Sequence, residues 1–184
     1  KNEVEQSIDR LIYYTGWSDK FQQIFSSVNP VASNYFNFSS HQAVGVVSVI
    51  APNASPLLGL VSLIAPIIIG GNTCVALASE ENPMVSISFA EVLNTSDVPA
   101  GVVNILTGRR EELIRHFASH MDVNSIVYCG NNSKEIKNIE QLSVKNLKRK
   151  QIYKRINWNG ENSQSPYFIE KYQEIKTTWH PIGA

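Results

Sequence analysis

The sequence has few cysteines and no excess charge of either sign. Two cysteines occur in 184 residues, and 16 basic side chains balance 16 acidic ones. Two thiols without metal-ligand spacing, together with four scattered histidines, exclude a disulfide framework and predict no metal site. A neutral chain lacks the charge that nucleic-acid binders and membrane-surface proteins carry. We therefore expect a cytoplasmic protein with neither nucleic acid nor membrane among its partners.

A long membrane-spanning run is also absent. The most apolar stretch, residues 56–71, contains Pro66 and is shorter than the about 20 apolar residues that a span requires. This stretch therefore predicts a buried helix. The one local excess of charge, the basic run at residues 145–150, is typical of a solvated surface.

Helical and strand patterns alternate along the chain. Apolar residues at helical spacing predict an amphipathic helix over residues 3–25, interrupted at Gly16. Alternating aromatic residues predict a hairpin or edge strand over 30–40, and a β-branched run predicts a buried strand over 44–50. The following segments predict helix 56–70, strand 73–78, helix 83–95, strand 102–106, helix 109–118 and strand 124–128. Such alternation is typical of βαβ units, so we predict an α/β fold with a doubly wound parallel, Rossmann-like sheet.

The pattern weakens after Gly130. Residues 131–165 are polar and rich in asparagine and predict little regular structure, whereas residues 167–179 predict one last strand. The chain is divided accordingly into an N-terminal helix at 1–28, a hairpin at 29–42, a Rossmann-like domain at 43–155, and a linker with a terminal strand at 156–184.

Several segments of the chain, in the same order along the sequence, resemble one enzyme family. Residues 12–20 read IYYTGWSDK, residues 45–58 read GVVSVIAPNASPLL, and residues 98–108 read VPAGVVNILTG. Together with residues 119–130, these runs are similar in order and spacing to RYYAGWADK, GVVGQIIPWNFPLL, LPPGVVNIVTG and SHPDVDKIAFTG of aldehyde dehydrogenases. The resemblance implies the nucleotide-binding domain of that family.

The end of the chain resembles two family segments that lie far apart in a full-length enzyme. Residues 146–149 read NLKR, like the run before the family's ELGGK strand. Residues 170–178 read EKYQEIKTT, like the EYTEVKT that opens the final oligomerisation strand. Only residues 150–169 separate the two, so the resemblance implies that the catalytic domain with its nucleophilic cysteine is absent. The arrangement is most similar to the truncated second unit of the two-unit, sixteenth aldehyde dehydrogenase family.

The resemblance also implies that the catalytic side chains are lost. The family's oxyanion asparagine falls on Ala54, with Asn53 one residue out of register, and its general-base glutamate falls on Tyr153. Neither a methyl group nor a phenol with a pKa of about 10 performs that chemistry at neutral pH. Cys74 and Cys129 lie in predicted strands without a basic neighbour in sequence, so we expect structural thiols. We therefore assign no catalytic residue.

The family's dinucleotide site is retained only in part. Its positions, carried over by the resemblance, are Ala51, Pro52, Leu77, Glu80, Arg110, Gly130 and Asn131. Leu77 replaces the ribose-binding lysine while Glu80 keeps the carboxylate, and Arg110 replaces a glycine that leaves room for the cofactor. Glu135 replaces the last glycine of the phosphate loop and adds negative charge near a helix N-terminus. We therefore expect no cofactor, and at most weak residual binding of NAD.

The terminal strand is the predicted assembly element. Its candidate oligomerisation residues are Tyr172, Ile175, Thr177 and Trp179, the last three on one buried face. We expect this strand to join the hairpin at 30–40, or the sheet of another aldehyde dehydrogenase fold or of a second copy, by strand addition.

Three functions remain open. The favoured one is a non-catalytic pseudoenzyme module with structural, assembly or partner-binding roles. The alternative is a fragment or subunit part of an active NAD-dependent aldehyde dehydrogenase, to which it would contribute cofactor contacts. A third is an unrelated nucleotide sensor on the same fold.

Overall fold

The computed structural model describes residues 2–183, which form two sheets and seven α-helices. The helices are α1 (Glu3–Thr15), α2 (Phe21–Phe25), α3 (Leu58–Ile69), α4 (Pro83–Asn94), α5 (Arg110–Ser119), α6 (Ser133–Ser143) and α7 (Tyr167–Glu170). The strands are β1 (Ser27–Asn29), β2 (Tyr35–Ala43), β3 (Val46–Ile50), β4 (Thr73–Leu77), β5 (Val103–Leu106), β6 (Ser125–Cys129), β7 (Arg149–Tyr153) and β8 (Gln173–Pro181). Within this range, none of the helices combines the length and the apolar character that crossing a membrane requires.

The larger sheet confirms the predicted doubly wound α/β fold. Its five strands run parallel in the order β5-β4-β3-β6-β7. The chain starts at the centre with β3, builds outward to β5, and then returns to the other side of β3 with β6. Helices α3 and α4 cover one face of the sheet, and α5 and α6 cover the other. The order therefore reverses between β3 and β6, which is where open parallel sheets bind their ligands.

A hydrophobic core lies on each side of this sheet. The side that α3 covers buries Val47, Val49 and Cys74 completely. The opposite side buries Ile50 and Leu77 against α5 and α6. Because both faces are covered, the central strands read as continuous apolar runs, as the sequence predicted for residues 44–50.

The N-terminal segment differs from its prediction in two ways. The predicted helix over residues 3–25 is two helices, since α1 ends at Thr15, where Gly16 caps it. The inward face of α1 carries Arg10 and Tyr14, and of the apolar stripe predicted for this helix only Leu11 packs against the core. The stripe residues Val4, Ile8 and Ile12 are exposed. The polar groups of Arg10 and Tyr14 have hydrogen-bond partners in the segment that follows β7, and these bonds offset part of the cost of burying them.

The prediction of little regular structure over residues 131–165 is wrong. Helix α6 and strand β7 both lie there. Helix α6 begins at an Asn132 cap, whose side chain accepts hydrogen bonds from the N–H groups of Lys134 and Glu135. Its buried Ile139 packs against the sheet. A short apolar stripe and a cap were enough to form a helix in a segment of polar composition.

In the basic run at 145–150, Lys145, Arg149 and Lys150 are exposed, as predicted for a solvated surface, and only Lys148 departs from that prediction. Lys148 is buried, and its ammonium donates to the side-chain oxygen of Asn146 at 2.8 Å and to the His120 carbonyl. Lys150 forms an ion pair with Glu140 of α6. Lys148 and Lys150 therefore link the start of β7 to His120, which follows α5, and to α6.

The smaller sheet has three antiparallel strands in the order β1-β2-β8. It contains the predicted pairing between the hairpin and the last strand, with Tyr35 opposite Pro181 and Ala43 opposite Gln173. The strand begins at Gln173, not at the predicted residue 167, because residues 167–170 form a helical turn.

Two predictions for the last strand are wrong within this chain. Tyr172 is not available for assembly, because it precedes β8 and its side chain is buried in the core of the larger sheet. The face that carries Ile175, Thr177 and Trp179 was expected to be buried, but these three residues are exposed. Their contacts within the chain are with β2, where the Tyr35 ring lies 5.9 Å from that of Trp179.

The connection from β7 to β8, residues 154–172, is folded against the core. Trp158 is buried with its ring centre 6.0 Å from that of Tyr153. The buried guanidinium of Arg10 donates to the Trp158 carbonyl at 3.0 Å, to Ser163 Oγ at 2.9 Å and to the Ser163 carbonyl. The connection is therefore held by a buried cation that donates to carbonyl and hydroxyl oxygen atoms.

Replacing Arg10 by alanine should lower the free energy of unfolding by about 2–4 kcal/mol, because the change leaves the buried Ser163 carbonyl oxygen without its donor and removes packed methylene groups. Arg115→Ala, on the exposed surface of α5, is the matched control and should change that free energy by no more than about 0.5 kcal/mol. Denaturant unfolding of both variants makes the comparison. Equal effects would show that Arg10 does not hold the connection.

Candidate functional site

The candidate site is the crevice at the carboxyl ends of β3 and β6. Ala51 follows β3, and Gly130 follows β6, so both line the point at which the strand order reverses. Main-chain groups at this point ordinarily remain free to bind a ligand.

The side chain of Arg110 lies across the crevice. One guanidinium nitrogen donates to the Ala51 carbonyl, and the other donates to the Cys129 carbonyl at 3.3 Å. Arg110 is the first residue of α5, so a single long side chain links that helix to the ends of both central strands. The positive charge neutralises the partial negative charge of the strand ends, and the chain itself occupies the place of a ligand.

Glu80 and Leu77 are also committed to contacts within the chain. A carboxylate oxygen of Glu80 accepts the main-chain N–H of Arg110 at 2.9 Å, so Glu80 caps the N-terminus of α5. Leu77 is completely buried in the cluster with Ile50 and Ile114. Glu80 therefore has a partner other than a ribose hydroxyl, and Leu77 presents no donor to the crevice.

The N-terminus of α6 lies at the same edge of the sheet and is a position that favours an anion. Side chains of the chain itself occupy it. Asn132 donates to one carboxylate oxygen of Glu135 at 2.8 Å, and the Tyr128 hydroxyl donates to the other at 2.7 Å. Burial, followed by this bond to a carboxylate, raises the pKa of Tyr128 to about 12. A carboxylate thus holds the position that favours an anion.

The space over Gly130 is filled as well. A Cβ built on Gly130 would lie 2.5 Å from the Tyr128 hydroxyl oxygen, so only glycine fits beneath that ring. The glycine is retained, but the room that it leaves is taken by tyrosine rather than left for a phosphate.

The side chain of Asn53, in the loop after β3, is hydrogen-bonded to residues that follow β4. Its amide nitrogen donates to Glu81 Oε1 at 3.0 Å, and its amide oxygen accepts the Glu80 N–H at 3.3 Å. Ala54 is exposed and offers no side-chain donor. Asn53 is therefore bound to the loop after β4 and does not replace the donor missing at Ala54.

Tyr153, at the position of the general base, is buried at the end of β7. Burial raises the pKa of Tyr153 to about 12. Its hydroxyl accepts a hydrogen bond from the Lys171 ammonium at 3.2 Å. A neutral phenol of this kind takes no proton from water near neutral pH.

The two thiols lie where the sequence predicted, within β4 and β6, and both are buried. Burial raises the pKa of Cys74 and of Cys129 to about 12. Arg110 opposes this effect at Cys129, but burial is the larger cause. Both thiols are therefore protonated and shielded near neutral pH.

The seven predicted cofactor positions do not converge on one open site. Contacts join Ala51, Glu80 and Arg110 at the crevice, with Gly130 beside them. Pro52 and Leu77 are buried and Asn131 is exposed. Among residues 2–183, no group of three or more His, Cys, Asp or Glu side chains is placed to hold a metal ion.

Sequence reasoning missed the network of Tyr128, Asn132 and Glu135. A usable signal was present, because an asparagine followed three residues later by glutamate resembles a helix-capping pair. It was overlooked because the helix that it starts was not predicted.

Comparison with known proteins identifies the relatives of this chain. Residues 1–152 match the profile of the Aldehyde dehydrogenase family. Aldehyde dehydrogenase 1A1 of Homo sapiens is 33% identical over 150 residues, which cover 80% of this chain and 29% of that protein. Retinal dehydrogenase 2 of Mus musculus is 34% identical over 149 residues, which cover 80% and 28%. The chain thus spans less than a third of the length of these relatives.

Solved structures give the same result. The crystal structure of PnpE in complex with nicotinamide adenine dinucleotide is 30% identical, has a TM-score of 0.76, and matches 83% of this chain and 30% of its own. An aldehyde dehydrogenase from Burkholderia cenocepacia is 31% identical with a TM-score of 0.77, and the match again covers 83% and 30%.

Both thiols should resist alkylation in the folded protein. A rise in pKa from 9.0 to about 12 lowers the thiolate fraction about a thousandfold at about pH 8, and burial limits access further. Mass spectrometry after iodoacetamide treatment should show an unmodified native chain and two modified thiols after denaturation. Rapid modification of Cys74 or Cys129 in the native chain would reveal a reactive thiol that contradicts this account.

Proposed function

Because the chain belongs to the aldehyde dehydrogenase family, we propose that it is a non-catalytic member, a pseudoenzyme module that serves assembly rather than aldehyde oxidation. One observation carries the proposal. The guanidinium of Arg110 joins the Ala51 and Cys129 carbonyls across the crevice where a nucleotide fold of this order binds its ligand.

The residues present do not fit a dinucleotide. The protein PnpE has been crystallised with nicotinamide adenine dinucleotide, but the equivalent edge of this chain is filled by its own side chains. Arg110 covers the ends of β3 and β6, Glu135 holds the N-terminus of α6, and Tyr128 lies over Gly130. A bound diphosphate would have to break these contacts and meet the Glu135 carboxylate.

The catalytic side chains support the same proposal. Oxidation of an aldehyde through a covalent intermediate needs a thiolate, an oxyanion donor and a base. The two thiols are buried with raised pKa values, Ala54 has no donor, and Tyr153 is a buried phenol. We propose that purified chain with NAD and an aldehyde produces no reduced cofactor.

The way in which the connection at 154–172 folds against the core also supports the proposal of a non-catalytic module. Trp158 and Tyr172 complete the core on the side that α3 covers, and Arg10 binds the connection from α1. A chain interrupted at this place would leave that core open. We propose, as a narrower identity, that the chain is the truncated second unit of the sixteenth aldehyde dehydrogenase family, and that it acts in the cytoplasm.

The alternative function is that of a part of an active NAD-dependent aldehyde dehydrogenase. It is favoured by the short span of the chain, which covers 29% of human aldehyde dehydrogenase 1A1. In that case the crevice would have to open when the remaining domain is present. Cofactor binding separates the two functions.

The purified chain should bind NAD with a Kd of about 1 mM or weaker, because Arg110 and Glu135 occupy the contacts that a diphosphate needs. Isothermal titration calorimetry measures this affinity. The variant Arg110→Gly with Glu135→Gln should bind NAD at least about tenfold more tightly, since it clears the crevice and removes one negative charge.

Arg109→Gly with Glu140→Gln is the matched control. It makes the same changes in charge. Arg109 is exposed, and Glu140 lies in the second half of α6, away from the crevice, where it contacts Lys150 of β7. The control should bind NAD as weakly as the unchanged chain. Micromolar binding by the unchanged chain would favour the alternative function.

A further inference from the structure

A cavity of about 400 Å³ lies between α2 and strands β1 and β2, and none of its lining residues belongs to the crevice. This α2 cavity has a helical wall and a strand wall, which include Gln22, Gln23 and Ser26 on the first and Phe36, Phe38 and Ser40 on the second. Every side chain in the lining is uncharged. The cavity is therefore suited to a neutral ligand, and its size is that of a small-molecule site.

The helical wall is fixed to the smaller sheet. The Gln22 amide nitrogen donates to the His41 carbonyl at 2.7 Å, and the Gln22 amide oxygen accepts the Ser26 hydroxyl at 2.8 Å. The rings of Phe21 and Phe25 pack edge-on against that of His41, with ring centres 5.4 Å and 6.1 Å away. The α2 cavity is therefore formed in the free chain, so a ligand would not have to order this helix.

The strand wall presents an open apolar surface. Phe36 and Phe38 lie on the same face of β2, with ring centres 5.6 Å apart and planes tilted by 37°. Phe36 is 44% exposed, and Val28, which is opposite Phe38 on β1, is 66% exposed. Aromatic rings left open in this way are complementary to a ligand that has an apolar face of its own.

Two polar side chains of the lining have no partner. The Gln23 amide and the Ser40 hydroxyl make no hydrogen bond within residues 2–183. An amide and a hydroxyl each supply both donors and acceptors, which is what the hydroxyl groups of a ligand require. An ion would find no opposite charge in this lining, and a purely apolar ligand would cover both polar groups without bonding to them.

We propose that the α2 cavity binds a neutral saccharide, with one face of a pyranose ring against Phe36 and its hydroxyl groups bonded to Gln23 and Ser40. The C–H groups of a pyranose form the faces of the ring, and its hydroxyl groups project from the edge. The first match the aromatic wall and the second match the unpartnered amide and hydroxyl. This binding function is separate from the assembly role proposed above, because the lining includes no residue of β8.

Saturation-transfer NMR of the full chain tests the proposal with the methyl glycosides of glucose, galactose, mannose and N-acetylglucosamine. At least one should receive signal at its ring protons and bind with a Kd of about 1 mM. Phe36→Ala and Gln23→Ala should each weaken that binding about tenfold, by removing the aromatic surface and the amide. Tyr35→Ala is the matched control, since Tyr35 is an exposed ring on the opposite face of β2 and should leave the affinity unchanged.

Three results overturn the proposal. The first is that none of the four glycosides binds at about 50 mM, well above the expected Kd. The second is glycoside binding that Gln23→Ala leaves unchanged, a variant at an exposed helix position that keeps the test valid if Phe36→Ala fails to fold. The third is binding of p-cresol without any glycoside, which identifies an apolar groove. The NAD titration reports on the crevice alone, so the pseudoenzyme proposal and this one can fail separately.

Discussion

The bridge from Arg110 to the ends of the two central strands is the interaction on which the account depends. A parallel sheet leaves carbonyl groups free at its carboxyl edge, and a nucleotide fold ordinarily satisfies them with ligand or water. Here one guanidinium bonds to Ala51 and Cys129, while Glu80 caps the N-terminus of α5 and Asn132 caps that of α6. The polar groups that a cofactor would use are thus paired internally.

Hydrogen bonds within the chain also satisfy polar groups of the connection from β7 to β8. Arg10 bonds to carbonyl oxygens of that connection, and Trp158 packs against Tyr153 beneath it. A domain that had lost a large neighbour without adjustment would expose apolar side chains there. Instead the buried surface is closed there, and exposed apolar side chains lie elsewhere, among them Val4, Ile8 and Ile12 of α1 and Ile175 and Trp179 of β8. The crevice is therefore filled by side chains of the chain itself, whereas the terminal strand β8 lies at the edge of its sheet.

The sequence predicted the fold well where hydrophobic patterns were strong. The strands of the larger sheet before residue 130 match their predicted ranges to within two residues, because burial on both faces requires continuous apolar runs. Strand β7 was missed since it is an edge strand of mostly polar residues. The buried face of α1 was predicted only at Leu11, because the bonds that turn Arg10 inward come from residues more than a hundred positions away.

The site was predicted less completely than the fold. The resemblance pointed to Arg110 as an obstacle to a cofactor, but the acceptors of its guanidinium lie on two strands that only the folded chain brings together. Tyr128 gave no signal at all, since its role depends on Glu135 one helical turn into α6. Replacements at matched positions can thus be found from sequence, whereas the contacts that the new side chains make require the structure.

A crystal structure of the chain soaked in excess NAD tests the central claim most directly. The account predicts an Arg110 guanidinium within hydrogen-bonding distance of the Ala51 and Cys129 carbonyl oxygens, and a Glu135 carboxylate bonded to Tyr128. A dinucleotide in the crevice, with Arg110 turned outward and its phosphates at the N-terminus of α6, would contradict it.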